Sequence, residues 1–216
     1  MASLKAQIRP VYNRLLRPHL PRKLAVCNGV VARAVRLLDA TDVIPDYEDA
    51  LIDGLRATAG QGDDVVIVGG GYGVSSVVAA ECVGENETVS TFEGSAEQVG
   101  LVEETLDLNG VTERVDVEHA AVGSDPNLYS DAGGAQAVAP TDLPDCDVLV
   151  LDCEGAEEEI LRKMSAKPES VVVETHGQYG TPPATVRDTL TDRGYGVTRE
   201  TEMEPQLGMW VLVAQR

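Results

Sequence analysis

The residues with the clearest chemical potential are three glycines and five acids or bases set at strand-like ends. Gly69, Gly71 and Gly73 lie in the run Val65-Val66-Ile67-Val68-Gly69-Gly70-Gly71-Tyr72-Gly73-Val74-Ser75-Ser76. Glycines between a strand and a helix let the backbone turn tightly and approach a ligand with no Cβ in the way. The helix N-terminus that follows adds free N–H donors and a positive dipole end. The spacing G-x-G-x-G fits Gly69, Gly71 and Gly73, whereas the dinucleotide spacing G-x-G-x-x-G fails at Val74 or Ser76. No G-K-[ST] follows, so a phosphate-binding P-loop is excluded. The pattern favours a nucleoside ligand such as S-adenosylmethionine (SAM) over a nicotinamide dinucleotide.

Glu93 stands 93 − 73 = 20 residues beyond Gly73, where a strand-end carboxylate can accept both hydroxyl hydrogens of a ribose. Further on, Val148-Leu149-Val150-Leu151 ends in Asp152-Cys153-Glu154. An acid at the end of a central strand falls beside the glycine turn and can meet the cationic end of a cofactor or orient a substrate. Asp152, Glu154, Glu174 and His176 are the candidate bases for an acceptor hydroxyl. The same four could form an oxygen/nitrogen metal site, but no ligand spacing compels one and none is expected.

Elements must hold these groups in place. Val65–Val68 reads as a strand buried on both faces, and residues 88–92, a strand from Val115, Val148–Leu151 and Ser170–Glu174 read as further strands. Residues 74–83, 95–109, 155–164 and 183–193 read as the helices between them. Asp46 is the expected cap of a further helix running to about Ala59, followed by a turn over residues 60–63. Residues 124–146 read mostly as loop. Residues 195–198 and 209–214 close the chain as two strands joined without a helix. Strands alternating with helices imply a Rossmann-like, doubly wound, seven-stranded, mostly parallel α/β sheet with a terminal antiparallel hairpin.

Composition bounds the rest. The chain has 216 residues, 17 Lys+Arg and 36 Asp+Glu, for a net charge of −19, and 43% hydrophobic residues. That is enough apolar content for a core, and no apolar run approaches the ~18 residues of a membrane span. No signal peptide is read at the N-terminus. Four scattered cysteines without a C-x-x-C indicate neither a zinc site nor a disulfide framework, and a cytoplasmic setting is expected. The acidity argues against nucleic acid as a partner. Together with only four lysines, it fits a halophilic protein bathed in concentrated salt. The charge is uneven: residues 1–38 carry eight basic side chains and no acid. Residues 2–17 and 23–38 are predicted as two helices broken around Pro18 and Pro21. In the second, Leu24, Val31, Val35 and Leu38 share one helical face. Residues 1–45 thus form a basic N-terminal helical extension, which either docks on the acidic body or meets an anionic ligand. Residues 46–216 form the binding domain.

At Asp152-Cys153-Glu154-Gly155-Ala156-Glu157 the chain resembles the class I SAM-dependent methyltransferases, and more narrowly the FkbM type, whose hallmark is Asp-x-Glu-Gly-Ala-Glu. The resemblance extends over roughly residues 46–216, taking in Glu48, the glycine turn, Glu93, Ala120-Ala121-Val122-Gly123 and the stretch 171–176. It implies a sheet order 3-2-1-4-5-7-6 and SAM as cofactor. Gly69, Gly71 and Gly73 would line the cofactor, Glu93 would take its ribose, Ala120 and Ala121 would lie near the adenine, and Asp152 would sit beside the methionine end. It further implies methyl transfer to a hydroxyl of a small molecule, sugar or lipid. The alternatives are N-methylation of RNA and a non-catalytic cofactor-binding module. The family usually has an acid where this chain has Ile67, Asn where Gly71 stands, and Lys near Val150.

Overall fold

The computed structural model describes residues 12–85, 87–123 and 134–216. Its centre is β4 (Val65–Val68), four β-branched residues that are all buried. A strand covered on both faces needs apolar side chains on both. On one side β4 pairs in parallel with β5 (Val89–Glu93), which pairs with β6 (Val115–Val122). On the other side it pairs with β8 (Val148–Leu151), which pairs with β9 (Ser170–His176). The late strands β10 (Gly196–Glu204) and β11 (Met209–Gln215) form the antiparallel hairpin, with β11 against β9. This is the expected 3-2-1-4-5-7-6 order. One short strand is added at the edge: β7 (Gln136–Val138) pairs in parallel with β6 and makes the sheet eight-stranded. It lies in the segment expected to be loop; residues 124–133 of that segment lie outside the described residues.

Period-two alternation sorts the strand residues into two cores. Val65, Ile67, Val148, Val150, Val172, Val211 and Val213 face one cluster. There they meet α1 (Asp49–Thr58), α2 (Val74–Val83) and α3 (Ala96–Asn109). Val66, Val68, Leu149, Leu151, Val171, Val173 and Leu212 face the other, under α4 (Glu157–Lys163) and α5 (Pro183–Asp192). Ile67 is fully enclosed in the first core, so the residue that departs from the resembling family sits in an apolar setting. The chain runs outward from β4 toward β6 and then returns to β8. The crevice at the carboxyl ends of β4 and β8 is therefore the topological switch point.

The N-terminal expectation is corrected. Residues 23–38 are not a helix. β1 (Arg22–Cys27) and β2 (Val30–Arg36) form an antiparallel hairpin, and β1 also pairs in parallel with β3 (Val43–Ile44). The turn is Asn28-Gly29, with φ of 49° and 91°, the two-residue turn with positive φ at both positions that matches strand twist. Buried Ala25, Cys27, Val30, Ala32 and Val35 join the first core, whereas Leu24 and Leu38 are 42% and 66% exposed. The period is therefore two, not 3.6. Residues 12–15 are helical, and residues 2–11 of the first predicted helix lie outside the described ones. The basic residues dock on α3: Arg33 is bidentate on Glu104 (Nη2–Oε1 2.7 Å) and Arg22 pairs with Glu97 at 3.0 Å. The Asn109 side chain closes the joint, donating to the Val31 carbonyl (2.8 Å) and accepting from its N–H (3.1 Å). Asp46 does not cap α1. That helix is preceded by Glu48 in the left-handed region, with no side-chain cap.

Candidate functional site

The glycine turn leaves β4 where β8 crowds it. Gly69 has φ +100°, and a Cβ there would lie 1.8 Å from the Asp152 carbonyl oxygen. Only glycine fits. Its N–H donates to the Phe92 carbonyl (2.9 Å), while the Asp152 N–H donates to Val68 (2.9 Å). The ends of β4, β5 and β8 are thereby tied together. Gly73 serves a different purpose: at φ +82° it precedes α2, and a Cβ would press on Thr105 and Val102 of α3 at 3.1 Å. It permits helix packing behind the turn and does not line the cleft.

The cleft at the switch point has a volume of about 480 Å3, within the usual range for small-molecule sites. Gly69 and Gly71 form its floor, with Glu93 beside them. Ala120 and Ala121 of β6 line one wall, and Asp152 and Glu154 the other. Glu93 is only 9% exposed. Its Oε2 accepts the N–H groups of Gly70 (2.8 Å) and Gly71 (3.2 Å), and Oε1 accepts that of Ser95 (2.7 Å). Three of the roughly four acceptor positions of the carboxylate are thus used by the backbone. The acid holds the turn as well as facing the cleft.

Sequence reasoning missed Tyr47, Tyr72 and Phe92, which also line the cleft. Glu48, which the resemblance takes in without a role, lines the cleft as well. The Tyr47 and Tyr72 rings lie 6.2 Å apart, and the Arg22 guanidinium sits over Tyr72 at 5.1 Å. Nothing in the sequence separation of Tyr47 and Tyr72 signals this, because the contact depends on how α1 enters the fold. Glu48 and Glu154 both have positive φ, 45° and 51°. Non-glycine residues in that region concentrate at functional sites. Glu154 does not cap α4, whose N-cap is Ala156 without a side-chain bond.

His176 stands behind Asp152, at the end of β9, and is 5% exposed. Its Nδ1 is 2.6 Å from Glu157 Oε1. Glu157, the first residue of α4, is fully buried and also accepts from Thr181 Oγ1 (2.9 Å) and from the Gly155 N–H. The ionised Glu157 takes only donors, so Nδ1 carries a hydrogen and Nε2 faces the other way. There Nε2 lies 3.5 Å from Asp152 Oδ1 and 3.6 Å from Glu174 Oε1. The ligand atoms of Asp152, Glu174 and His176 all fall within 4.8 Å of one another. The sequence offers no metal-ligand spacing, yet β8 and β9 bring these three together.

The cluster is rich in acid. Burial pushes Asp152 up to about 6, against the pull of His176. Burial and then the Asp152 charge push Glu174 up to about 8 and Glu48 up to about 7. Burial raises Glu157 too, but the hydrogen bonds from His176 and the backbone outweigh it and hold the carboxyl below its ordinary value. For His176, burial works downward, and the bond and charge of Glu157 with the charges of Asp152 and Glu174 carry it upward overall. These opposed shifts reflect several carboxylates sharing one imidazole.

No protein-family model matches the sequence, and no curated protein matches it. Solved structures do. A precorrin-6y methyltransferase from Geobacter metallireducens superposes with a TM-score of 0.55 at 17% identity, over 85% of this chain and 94% of that one. A ribosomal protein methylase from Lactobacillus delbrueckii subsp. bulgaricus gives 0.54 at 14%, over 80% and 79%. A SAM-dependent O-methyltransferase from Thermotoga maritima gives 0.52 at 18%, over 79% and 65%. The fold is that of the SAM-dependent methyltransferases of the Rossmann-like class. Among the described residues, no helix is long and apolar enough to cross a membrane.

Proposed function

We propose that this chain is a SAM-dependent methyltransferase of the FkbM type, acting on a hydroxyl oxygen of a small molecule, sugar or lipid. The observation that carries the reading is the Glu93 carboxylate, fixed 2.8 Å from the Gly70 N–H beside the floor of a cleft on the switch point. The Asp152–Glu157 motif supports the narrower family assignment. The cradle fits an adenosyl group: Gly69 and Gly71 keep side chains off the floor, and Gly73 lets α2 pack close behind. Glu93 retains acceptor capacity for a ribose hydroxyl, and the small side chains of Ala120 and Ala121 leave room for an adenine.

Bound SAM supplies an electrophilic methyl on a sulfonium. The chain's residues bind, align and prepare the acceptor, and alignment is the larger share of such catalysis. Asp152 stands at the methionine end of the cleft. Asp152 faces the acceptor hydroxyl with His176 supporting it from behind, and Glu154 flanks the entry. Glu157 keeps the imidazole in one orientation through Nδ1. The carboxylates of Glu48, Glu93, Asp152 and Glu154 around the cleft disfavour a polyanionic acceptor by repulsion. RNA is the competing acceptor class, since one structure of like fold, from Pyrococcus horikoshii, is assigned to an RNA methyltransferase. We further infer a halophilic setting from the net charge of −19 and the scarcity of lysine, and a cytoplasmic one from four cysteines without a C-x-x-C.

Incubation with methyl-labelled SAM and fractionated cell extract tests the reading, with mass spectrometry of the product. Label in the small-molecule or lipid fraction, on oxygen, is expected. Label in RNA would replace the acceptor class. Cofactor binding without any transfer would leave a binding module instead.

A further inference from the structure

We propose that Asp152 Oδ1, Glu174 Oε1 and His176 Nε2 form a divalent-cation site at the ends of β8 and β9, where the cation holds the acceptor hydroxyl. The purpose of the site rests on the methyltransferase reading; the site itself does not. Three independent features support it.

The first is distance. The two contacts of Nε2, at 3.5 and 3.6 Å, are too long for good hydrogen bonds. Two ligands each about 2.1 Å from one ion lie about 3.0 Å apart at a right angle and about 3.4 Å apart at a tetrahedral angle. The observed separations lie about 0.5 Å beyond the right-angle value that an octahedral ion sets, a gap that small side-chain rotations close. The second feature is Glu174, which is 6% exposed. Among the described residues its carboxylate receives no hydrogen bond, and its one close polar contact is with Nε2. A carboxyl so enclosed carries its charge only beside a cation, because burying the ion unpaired is costly. The third is Glu157, whose bond to Nδ1 at 2.6 Å fixes Nε2 as the free nitrogen. Metal-bound histidines are oriented by carboxylates in this manner.

Two carboxylate oxygens and an imidazole suit a cation of the Mn2+ class better than Ca2+, which takes oxygen ligands only. An acceptor hydroxyl on such a cation loses its proton to solvent more readily. Its oxygen lone pair then forms the new C–O bond, while the methyl–sulfur bond breaks and leaves its electron pair on sulfur as a neutral thioether.

The test is titration of the chelator-stripped full chain with Mn2+, read by the electron paramagnetic resonance of the free ion. Molar KCl suppresses weak uptake by the 36 acidic side chains. One tight Mn2+ per chain is expected. Glu174→Gln and His176→Gln should each weaken it at least tenfold, and Glu157→Gln, which removes no ligand, by about 10–100-fold. Circular dichroism confirms that each variant is folded. No tight uptake by the folded parent chain overturns the site, as does unchanged affinity in both folded ligand variants. Calorimetry with SAM in excess chelator separates the two claims. Cofactor binding without Mn2+ uptake overturns the cation site alone. Mn2+ uptake without cofactor binding upholds the site and overturns the methyltransferase reading.

Discussion

Replacing Glu93 tests whether one carboxylate both holds the glycine turn and serves the ligand. It accepts three backbone N–H groups, from Gly70, Gly71 and Ser95, at 2.7–3.2 Å. A hydrogen bond to a charged group contributes about 1.5–3 kcal/mol. The three do not sum in Glu93→Ala, because the Gly71 and Ser95 amides are only partly buried and regain water, whereas the bond to Gly70 is buried. A loss of about 2–4 kcal/mol is expected. At roughly 2–4 °C per kcal/mol for a chain of this size, the melting temperature falls by about 4–16 °C. Glu93→Gln keeps one acceptor oxygen for the glycine amides and turns an NH2 toward Ser95, donor against donor. It should lose about half as much stability. Both variants should bind SAM at least tenfold more weakly when folded. Thermal unfolding followed by circular dichroism in molar KCl, paired with calorimetry, reads both effects. An alanine variant melting within about 1 °C of the parent would refute the anchoring role. Unchanged affinity in a folded variant would refute the ribose assignment.

Other perturbations test other joints. Gly69→Ala places a methyl 1.8 Å from the Asp152 carbonyl and strains a positive φ. It should cost more than about 3 kcal/mol and yield little folded protein on expression. Deleting residues 1–38 removes Ala25, Cys27, Val30, Ala32 and Val35 from the first core. At about 1–2 kcal/mol for each buried side chain, the loss rivals the whole stability of a domain. The truncated chain should show no cooperative melt, and a normal melt would mean the hairpin merely decorates the surface. Raising KCl from low to molar concentration should raise the melting temperature, because 36 acids against 17 bases repel one another until screened. A melt independent of salt would remove the halophilic reading.

The parallel sheet was legible because Val65–Val68, Val148–Leu151 and Ser170–Glu174 are short apolar runs bounded by clear punctuation. Glycine spacing placed the turn, and strand ends placed Glu93 and Asp152 on one cleft. The N-terminal hairpin was hidden because Leu24, Val31, Val35 and Leu38 imitate a helical face. The Asn28-Gly29 pair, flanked by alternating Ala25, Cys27, Val30 and Ala32, carried the opposing signal and decides the fold there. β7 escaped notice because three residues at a sheet edge carry almost no pattern. The acid-His cluster was foreseen as residue types but not as an arrangement. The pairing of His176 with Glu157, and the proximity of Glu174, arise from the register of β8 against β9 and the start of α4, which no local motif encodes. The double duty of Glu93 likewise appears only once the glycine amides point at it.

The central claim is that the switch-point cleft takes an adenosyl cofactor. Isothermal calorimetry of the full chain with SAM, in molar KCl, tests it most directly. Saturable binding at one site per chain, displaced by the demethylated product, is the expected result. A flat titration with folded protein, for both SAM and that product, would contradict it.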